Sequence, residues 1–485
     1  MIDTKALRQK ILDLAIRGKL VEQDPNDEPA SLLIARIKAE KEQLIKEKKI
    51  KKEKPLPPIK ADEIPFQIPN GWEWVRLVDG CLKEIKRGKS PKYIDKSETL
   101  VFAQKCNTKY DGIHMELALF LDEINLGKYS EFEFMQNGDT VINSTGTGTL
   151  GRVGIFFEED NPRGLKIVPD SHVTVIRGAK ELEPYYVYSF LKLNQSRLEK
   201  MGEGTTNQKE LKPISIKQLM IPVPPYEEQK RIVAKIEELF AQVDAIEKAQ
   251  NDLVELKKIA KQKVLDLAIR GKLVEQDPNN EPASLLIARI KAEKEQLIKE
   301  KKIKKEKPLP PIKADEIPFQ IPNGWEWVRL GDIIQLVSGQ DFNSSLYFDE
   351  PHEHSVPYIT GASNIENNRV IINRWTDTPK SIAIKDDLLI VCKGSVGKTA
   401  YLEEEKAHIA RQIMAVRMIY GLDRFYIGTA IHAKVDDIVR SQKGIIPGIE
   451  RSTMLNLAIS LPPIKEQKRI VAKIEELFEQ IDLIR

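Results

Sequence analysis

Gly146, Gly148 and Gly151 stand in the spacing G-x-G-x-x-G. Glycines so placed let a backbone close on a pyrophosphate, provided a helix follows and aims its N-terminus at the anion. Here the following residues are Arg152-Val153-Gly154-Ile155-Phe156-Phe157, which read as a strand. Gly394-Ser395-Val396-Gly397-Lys398-Thr399 ends like a phosphate-binding loop, but Cys392 occupies the place of its leading glycine and a strand follows again. Both stretches therefore read as one shared feature, a polar hairpin loop. Val223-Pro224-Pro225-Tyr226 is similar to the Asn/Asp-Pro-Pro-Tyr/Phe loop of amino-methylating enzymes, with valine where a group must accept the amine's hydrogen. The second copy, Leu461-Pro462-Pro463-Ile464, lacks both ends, so both pairs read as helix starters. His352 and His354 have no third ligand at metal spacing and read as loop histidines.

The elements that must position these loops are written twice. Residues 12–77 recur as residues 265–330 with one change, Asp27 against Asn280. EQKRIVAKIEELF, residues 228–240, recurs intact as residues 466–478 at a different offset. A frame is constant and the insert it encloses varies in length and sequence, which is the mark of two repeated units. In the frame, residues 5–18 read as an amphipathic helix closed by Gly18, and a second helix begins near Glu28 and runs into the basic stretch Lys48 to Lys54 before Pro55. Trp72-Glu73-Trp74-Val75 reads as a strand that leads into the insert, its tryptophans in the core. In the first insert, strands are expected at residues 140–142, 152–157 and 173–176, with a helix at 184–200; residues 387–391, 398–402 and 413–417 repeat the strand rhythm in the second. Ile232, Ile236, Leu239, Val243 and Ile246 step as a coiled-coil seam, continued with a shift of register by Leu253, Leu256, Ala260, Val264 and Leu267. No proline interrupts residues 227–270, so one helix of roughly 65 Å is expected at about 1.5 Å per residue. Ile470, Ile474, Leu477, Ile481 and Ile484 begin the same seam again, and residues 7–20 match the later part of the long helix. The chain reads as a cut ring, with its two terminal helices together standing for a second copy of the central one.

Bulk properties bound the alternatives. With 485 residues the chain has room for two to four domains. Its net charge of +3 permits a nucleic-acid partner without arguing for one. Three cysteines without ligand spacing suit neither a disulfide framework nor a zinc site, and a reducing cytoplasm fits best. The charged N-terminus does not read as a signal peptide, and no run approaches the ~18 to 20 apolar residues that span a bilayer.

LDLAIRGKL, EPASLL, NGWEWVRL and PP followed by EQKRIVAKIEELF, each present in two copies in this order, resemble the conserved regions of the specificity subunits of type I restriction-modification systems. The resemblance covers essentially the whole chain. It implies a mixed α/β fold in which two homologous α/β target recognition domains are separated by long antiparallel coiled-coil helices, with pseudo-two-fold symmetry and circularly arranged repeats. The corresponding segments are 1–20 (N-terminal helix), 21–224 (first recognition domain, variable core 78–220), 225–273 (central helix), 274–463 (second recognition domain, variable core 331–460) and 464–485 (C-terminal helix). It also implies that each domain reads one half of a bipartite site in double-stranded DNA, and that the helices set the spacer and dock two modification (methyltransferase) subunits. Restriction subunits would join through the complex. S-adenosylmethionine, ATP and Mg are implied for those partners and no cofactor for this chain, which would be a non-catalytic protein of the prokaryotic cytoplasm without a membrane association. Two other readings stay open: a nucleotide-dependent enzyme built on the glycine loops, and a pure coiled-coil scaffold.

On that reading, arginine and lysine suit guanine edges, and asparagine and glutamine suit adenine. In the first insert the candidate DNA-contacting residues are Arg87, Lys89, Lys92, Tyr93, Lys105, Asn107, the loop residues Ser144, Thr145, Thr147 and Arg152, and then Thr206, Asn207 and Gln208. In the second they are Gln340, Asn343, Ser363, Asn364, Lys393, Ser395, Lys398, Arg411 and Gln412.

Overall fold

Asp3 starts the first helix, Thr4–Ile16, by accepting a hydrogen bond from the Ala6 amide at 2.9 Å. Gly18 ends it: at φ 64° it lets the Lys19 amide reach back to the Leu14 carbonyl at 2.8 Å. The Pro69 ring fills the space a Cβ would need there. The long helix Tyr226–Ile269 closes in the same way at Gly271.

The computed structural model describes residues 1–109, 112–146, 148–204, 209–441 and 448–484, in two units, Met1–Asn251 and Asp252–Arg485. Within the first unit, Thr4–Ile16 runs antiparallel to the early part of the long helix. Arg8 pairs with Asp244, and further along, Gln23 reaches Glu228 at 2.9 Å. Within the second, the later part of the long helix pairs antiparallel with Ile464–Leu483, where Lys261 meets Asp482 at 2.7 Å. Ile232, Ile236 and Val243 are buried as the seam requires. Leu256 departs from it: it is 62% exposed, and the burial passes to Val264, Ala268 and Ile269. The apolar side has turned with the register, leaving Val254, Leu256 and Ile259 outward.

Two further sequence expectations are corrected. The second helix, Ala30–Lys46, ends before the basic stretch. Lys48 takes φ 58° and the Lys49 amide closes on the Leu44 carbonyl, so Lys48 to Lys54 follows the helix. Extending it would stack lysines on neighbouring turns. The expected helix at 184–200 is two, Pro184–Leu193 and Gln195–Lys200. At the break both the amide and the side chain of Asn194 turn back to the Phe190 carbonyl.

Each insert starts and ends on one two-stranded ladder. Glu73–Arg76 pairs antiparallel with Met220–Val223, and Glu326–Arg329 with Ala458–Leu461. Between these ends lie two four-stranded sheets per insert. In the first insert an antiparallel sheet has the order Lys86–Arg87, Val173–Ile176, Asp139–Asn143, Val153–Phe156. Its companion joins Tyr93–Ile94, Leu119–Leu121, Thr99–Phe102 and Lys166–Pro169, the last pair parallel. The second insert repeats the antiparallel sheet with Ile334–Ser338, Ile413–Met418, Leu388–Val391 and Thr399–Tyr401. Its companion also holds one parallel pair, Val356–Ile359 with Lys406–Ile409. A buried ion pair anchors each antiparallel sheet. Arg177 grips Asp139 through Nε and Nη2 at 2.7 and 2.6 Å, and Arg417 grips Asp387 at 3.0 and 2.8 Å.

The joint between insert and frame also recurs. Trp72 is buried and donates to Glu228 at 3.0 Å; Trp325 donates to Glu466 at 3.2 Å. Burial pushes both carboxyls up from the usual range, opposed by hydrogen bonds from Gln23 and Trp72 in one unit and Gln276 and Trp325 in the other. One position breaks the equivalence. Asp27 pairs with Arg231 at 2.6 Å, whereas the Asn280 amide nitrogen is buried without a partner and Arg469 turns to the Glu275 carbonyl. An unpaired buried donor costs about 1–3 kcal/mol. Asn280→Asp is therefore expected to stabilise the chain by about 1 kcal/mol, because the arginine end of the restored pair is solvated. A rise in the urea midpoint would register it, and Asp27→Asn should lower that midpoint.

Candidate nucleic-acid interface

Loops from both sheets converge at one end of each insert, tied by backbone hydrogen bonds. In the first unit the Gly88 amide donates to the Val173 carbonyl at 3.0 Å, Ser144 to His172 at 2.7 Å and Leu211 to Ser144 at 2.8 Å. Gly88 lies against the Pro169 and Asp170 carbonyls with no room for a Cβ. The second unit repeats the lattice: Gly339 donates to Ile413 at 3.1 Å, Cys392 to Gln412 at 2.7 Å and Ile449 to Cys392 at 2.8 Å. The glycine-patterned loops both join antiparallel strands, Asp139–Asn143 to Val153–Phe156 and Leu388–Val391 to Thr399–Tyr401. Among the described residues, each is followed by a strand where a phosphate-binding glycine loop would open a helix.

The lattice sorts the candidates by accessibility. Lys92, Tyr93 and Lys105 are exposed. Arg87 is half-buried and pairs with Glu210 at 3.0 Å. Lys89 pairs with Glu133 at 2.9 Å. Burial alone would raise the Glu133 carboxyl, but hydrogen bonds from Lys89 and the Ser130 amide and the charges of Lys86 and Lys89 hold it at about 2. Thr145 meets His172 at 2.6 Å. Arg152 braces the hairpin loop through the carbonyls of Asn107 and Gly148. Thr147, Thr206, Asn207 and Gln208 lie outside the described residues. In the second unit Gln340, Asn343, Ser363, Lys393, Ser395, Lys398, Arg411 and Gln412 are all exposed. Lys398 leans on the Ile365 carbonyl at 3.3 Å, and Arg411 pairs with Asp341 at 2.6 Å.

Three candidates are interior. Asn107 is buried and donates to Asn143 and to the Arg152 carbonyl. Ser144 is buried against Thr174 at 2.6 Å. Asn364 is buried and accepts from the amide and hydroxyl of Thr360 while donating to the Ile371 carbonyl. These short polar side chains satisfy loop backbone that would otherwise be buried unpaired, so they shape the surface from beneath.

Sequence reasoning passed over Ser171 and His172, Asp341, and His408. Asp170-Ser171-His172 is a turn triplet between two β-branched runs, and that pattern could have marked it. His408 is buried and stacked on Phe342 with ring centroids 3.9 Å apart. Burial lowers its basicity. Its Nδ1 accepts from the Ser381 amide, so Nε2 carries the proton and donates to the Gln340 carbonyl at 2.9 Å. Among the described residues no group of three or more His, Cys, Asp or Glu side chains is placed to hold a metal ion. The three cysteines are free and buried.

Comparison with known proteins returns one family. Residues 69–256 and 322–485 match the type I restriction modification DNA specificity domain. The specificity subunit of the type I restriction enzyme EcoEI of Escherichia coli is 32% identical over 549 aligned positions, covering 99% of this chain and 90% of that protein. The EcoAI specificity subunit, also of Escherichia coli, is 31% identical with the same coverage. A solved chain from work on complex assembly and conformational transition of the type I R-M system is 22% identical. It aligns over 86% of this chain and 93% of its own length, with a TM-score of 0.57, a likeness of fold.

Proposed function

Because this chain belongs to the type I restriction-modification DNA specificity family, we propose that each of its inserts reads one half of a bipartite target in double-stranded DNA. One observation carries this reading. The two units share the same joints and the same loop lattice, yet the lattice holds different polar side chains in each. Surfaces that read different base edges must differ, whereas surfaces that dock two copies of one partner must not. The frame helices then serve as the dock for two modification subunits, and the long helix Tyr226–Ile269 sets the length of the spacer between half-sites. Two linked readers gain avidity only on DNA whose gap matches their linker.

The chain itself carries no catalysis in this reading. S-adenosylmethionine, ATP and Mg belong to the modification and restriction subunits, and the complex works on DNA in the prokaryotic cytoplasm. Hairpin loops in place of helix-opening glycine loops support that division. No helix among the described residues is long and apolar enough to cross a membrane.

The test is a map of N6-methyladenine, made by single-molecule sequencing of a host that expresses this chain with its modification subunit. The expected result is a bipartite motif with a fixed gap. Exchange of residues 331–460 for another insert should change one half of the motif and leave the other half and the gap intact. A soluble complex that methylates no fixed motif would overturn the reading in favour of a scaffold.

A further inference from the structure

The geometry points to Arg411 as a guanine-reading side chain of the second unit, held for that task by Asp341; this deepens, and rests on, the reading of each insert as a half-site reader. Asp341 follows the strand Ile334–Ser338, and Arg411 sits in the turn between Lys406–Ile409 and Ile413–Met418. One carboxylate oxygen of Asp341 accepts the Arg411 backbone amide at 3.1 Å; the other lies 2.6 Å from the Arg411 Nε. The arginine side chain is nevertheless 70% exposed. The carboxylate beside Nε tethers the guanidinium, and a side chain this exposed leaves the planar head free to offer its two terminal nitrogens as a fork. That fork matches the O6 and N7 acceptors of guanine in the major groove.

The carboxylate also selects against the competing partner. A lone arginine at this surface would bind phosphate wherever DNA passed. Asp341 repels phosphate and cancels the local charge, which removes the gain from displaced counterions. Directional hydrogen bonds to a base edge remain.

The first unit supplies an internal control. Ser90 stands two residues beyond Gly88 as Asp341 stands two beyond Gly339. Ser171 precedes His172, whose carbonyl holds Ser144, as Arg411 precedes Gln412, whose carbonyl holds Cys392. The two serine hydroxyls lie 3.4 Å apart. One lattice position thus holds a braced arginine in one unit and two short hydroxyls in the other.

Binding of the assembled complex to target duplexes tests this without altering the protein. Each guanine of the half-site assigned by insert exchange is replaced in turn by 7-deazaguanine, which lacks N7. One position in that half-site should lose on the order of 10- to 100-fold in affinity. In Arg411→Ala that penalty should vanish, and the methylation map should become degenerate at the same position while the other half-site holds. Asp341→Ala should weaken discrimination there and strengthen binding to unrelated DNA. Arg411→Lys should keep the charge without restoring the preference. The assignment is overturned if no guanine of that half-site depends on N7. It is overturned equally if Arg411→Ala leaves the motif unchanged or lowers methylation evenly at all sites, as a phosphate contact would. A wild-type complex that shows no bipartite motif would instead overturn half-site reading itself, and this assignment with it.

Discussion

Replacing Trp72 with alanine should lower the stability of the chain by about 3–5 kcal/mol, read as a fall in the urea midpoint followed by far-UV circular dichroism. Trp72 is 5% exposed and packs edge-on against Tyr186, itself fully buried, with ring centroids 6.5 Å apart. Truncation would open a cavity between the frame and the first helix of the insert. It would also withdraw the indole N–H from the carboxylate of Glu228, a residue only 1% exposed. Two separable losses are thus combined. Trp72→Phe keeps a six-membered ring and removes the donor with the rest of the indole, so it should cost less than alanine, about 1–3 kcal/mol. Trp325→Ala should behave as Trp72→Ala does, since Trp325 packs on Tyr426 at 6.2 Å and donates to Glu466. If the two alanine variants differed widely, the joints would not be equivalent in energy, whatever their likeness in geometry.

Asp139→Ala is the second large expectation, at about 3–5 kcal/mol. Asp139 is wholly buried and receives both Nε and Nη2 of Arg177 as well as the Gln136 amide. Its removal would leave a guanidinium, 16% exposed, without its counter-charge. The cost arises from breaking the pair and does not measure what the pair contributes, because bringing both charges out of water already consumed much of their attraction. Asp139→Ala combined with Arg177→Met should therefore recover a large part of the loss. A double variant no more stable than the single one would show that Arg177 acts through its bonds to the Phe132 and Phe134 carbonyls instead. Asp387 and Arg417 allow the same experiment in the second unit.

The repeat made much of the fold legible before any coordinates. The helix that closes at Gly18, the unbroken Tyr226–Ile269 and the strands around the two glycine loops follow from periodicity and turn chemistry, which are local. Departures came where a second, equally local preference competed. Lys48 leaves the helix early because a basic run stacks like charges, and Asn194 divides a helix because its amide competes for a backbone carbonyl. Leu256 is apolar at a plausible seam position, and only the partner helix decides whether a seam residue is covered. The interface was less legible for the same reason. Asn107, Ser144 and Asn364 have the chemistry of base readers, yet they lie inside because buried loop carbonyls and amides needed partners. Asp341 drew no notice as an acid near a polyanion until Arg411 appeared beside it.

Beside the apolar packing at each joint, one pair of hydrogen bonds recurs between insert and frame. In the first unit the insert brings one backbone amide, that of Glu183, to the Gln229 side chain, and one hydroxyl, that of Tyr186, to the Pro222 carbonyl. In the second, Asp423 and Tyr426 do the same toward Gln467 and Ser460. Acid-x-x-Tyr at the start of a helix is the plug; the repeated Gln229 and Gln467 accept its amide, and the strand that ends each insert accepts its hydroxyl. A gene that carries the frame twice in nearly the same text can recombine between copies and exchange whatever lies between them. An incoming segment that carries the plug, a pair of end strands and an apolar helix face like that of Tyr186, Val187 and Phe190 meets a frame of nearly the same sequence. On the proposed reading, a new target preference then comes with the transfer of a whole insert.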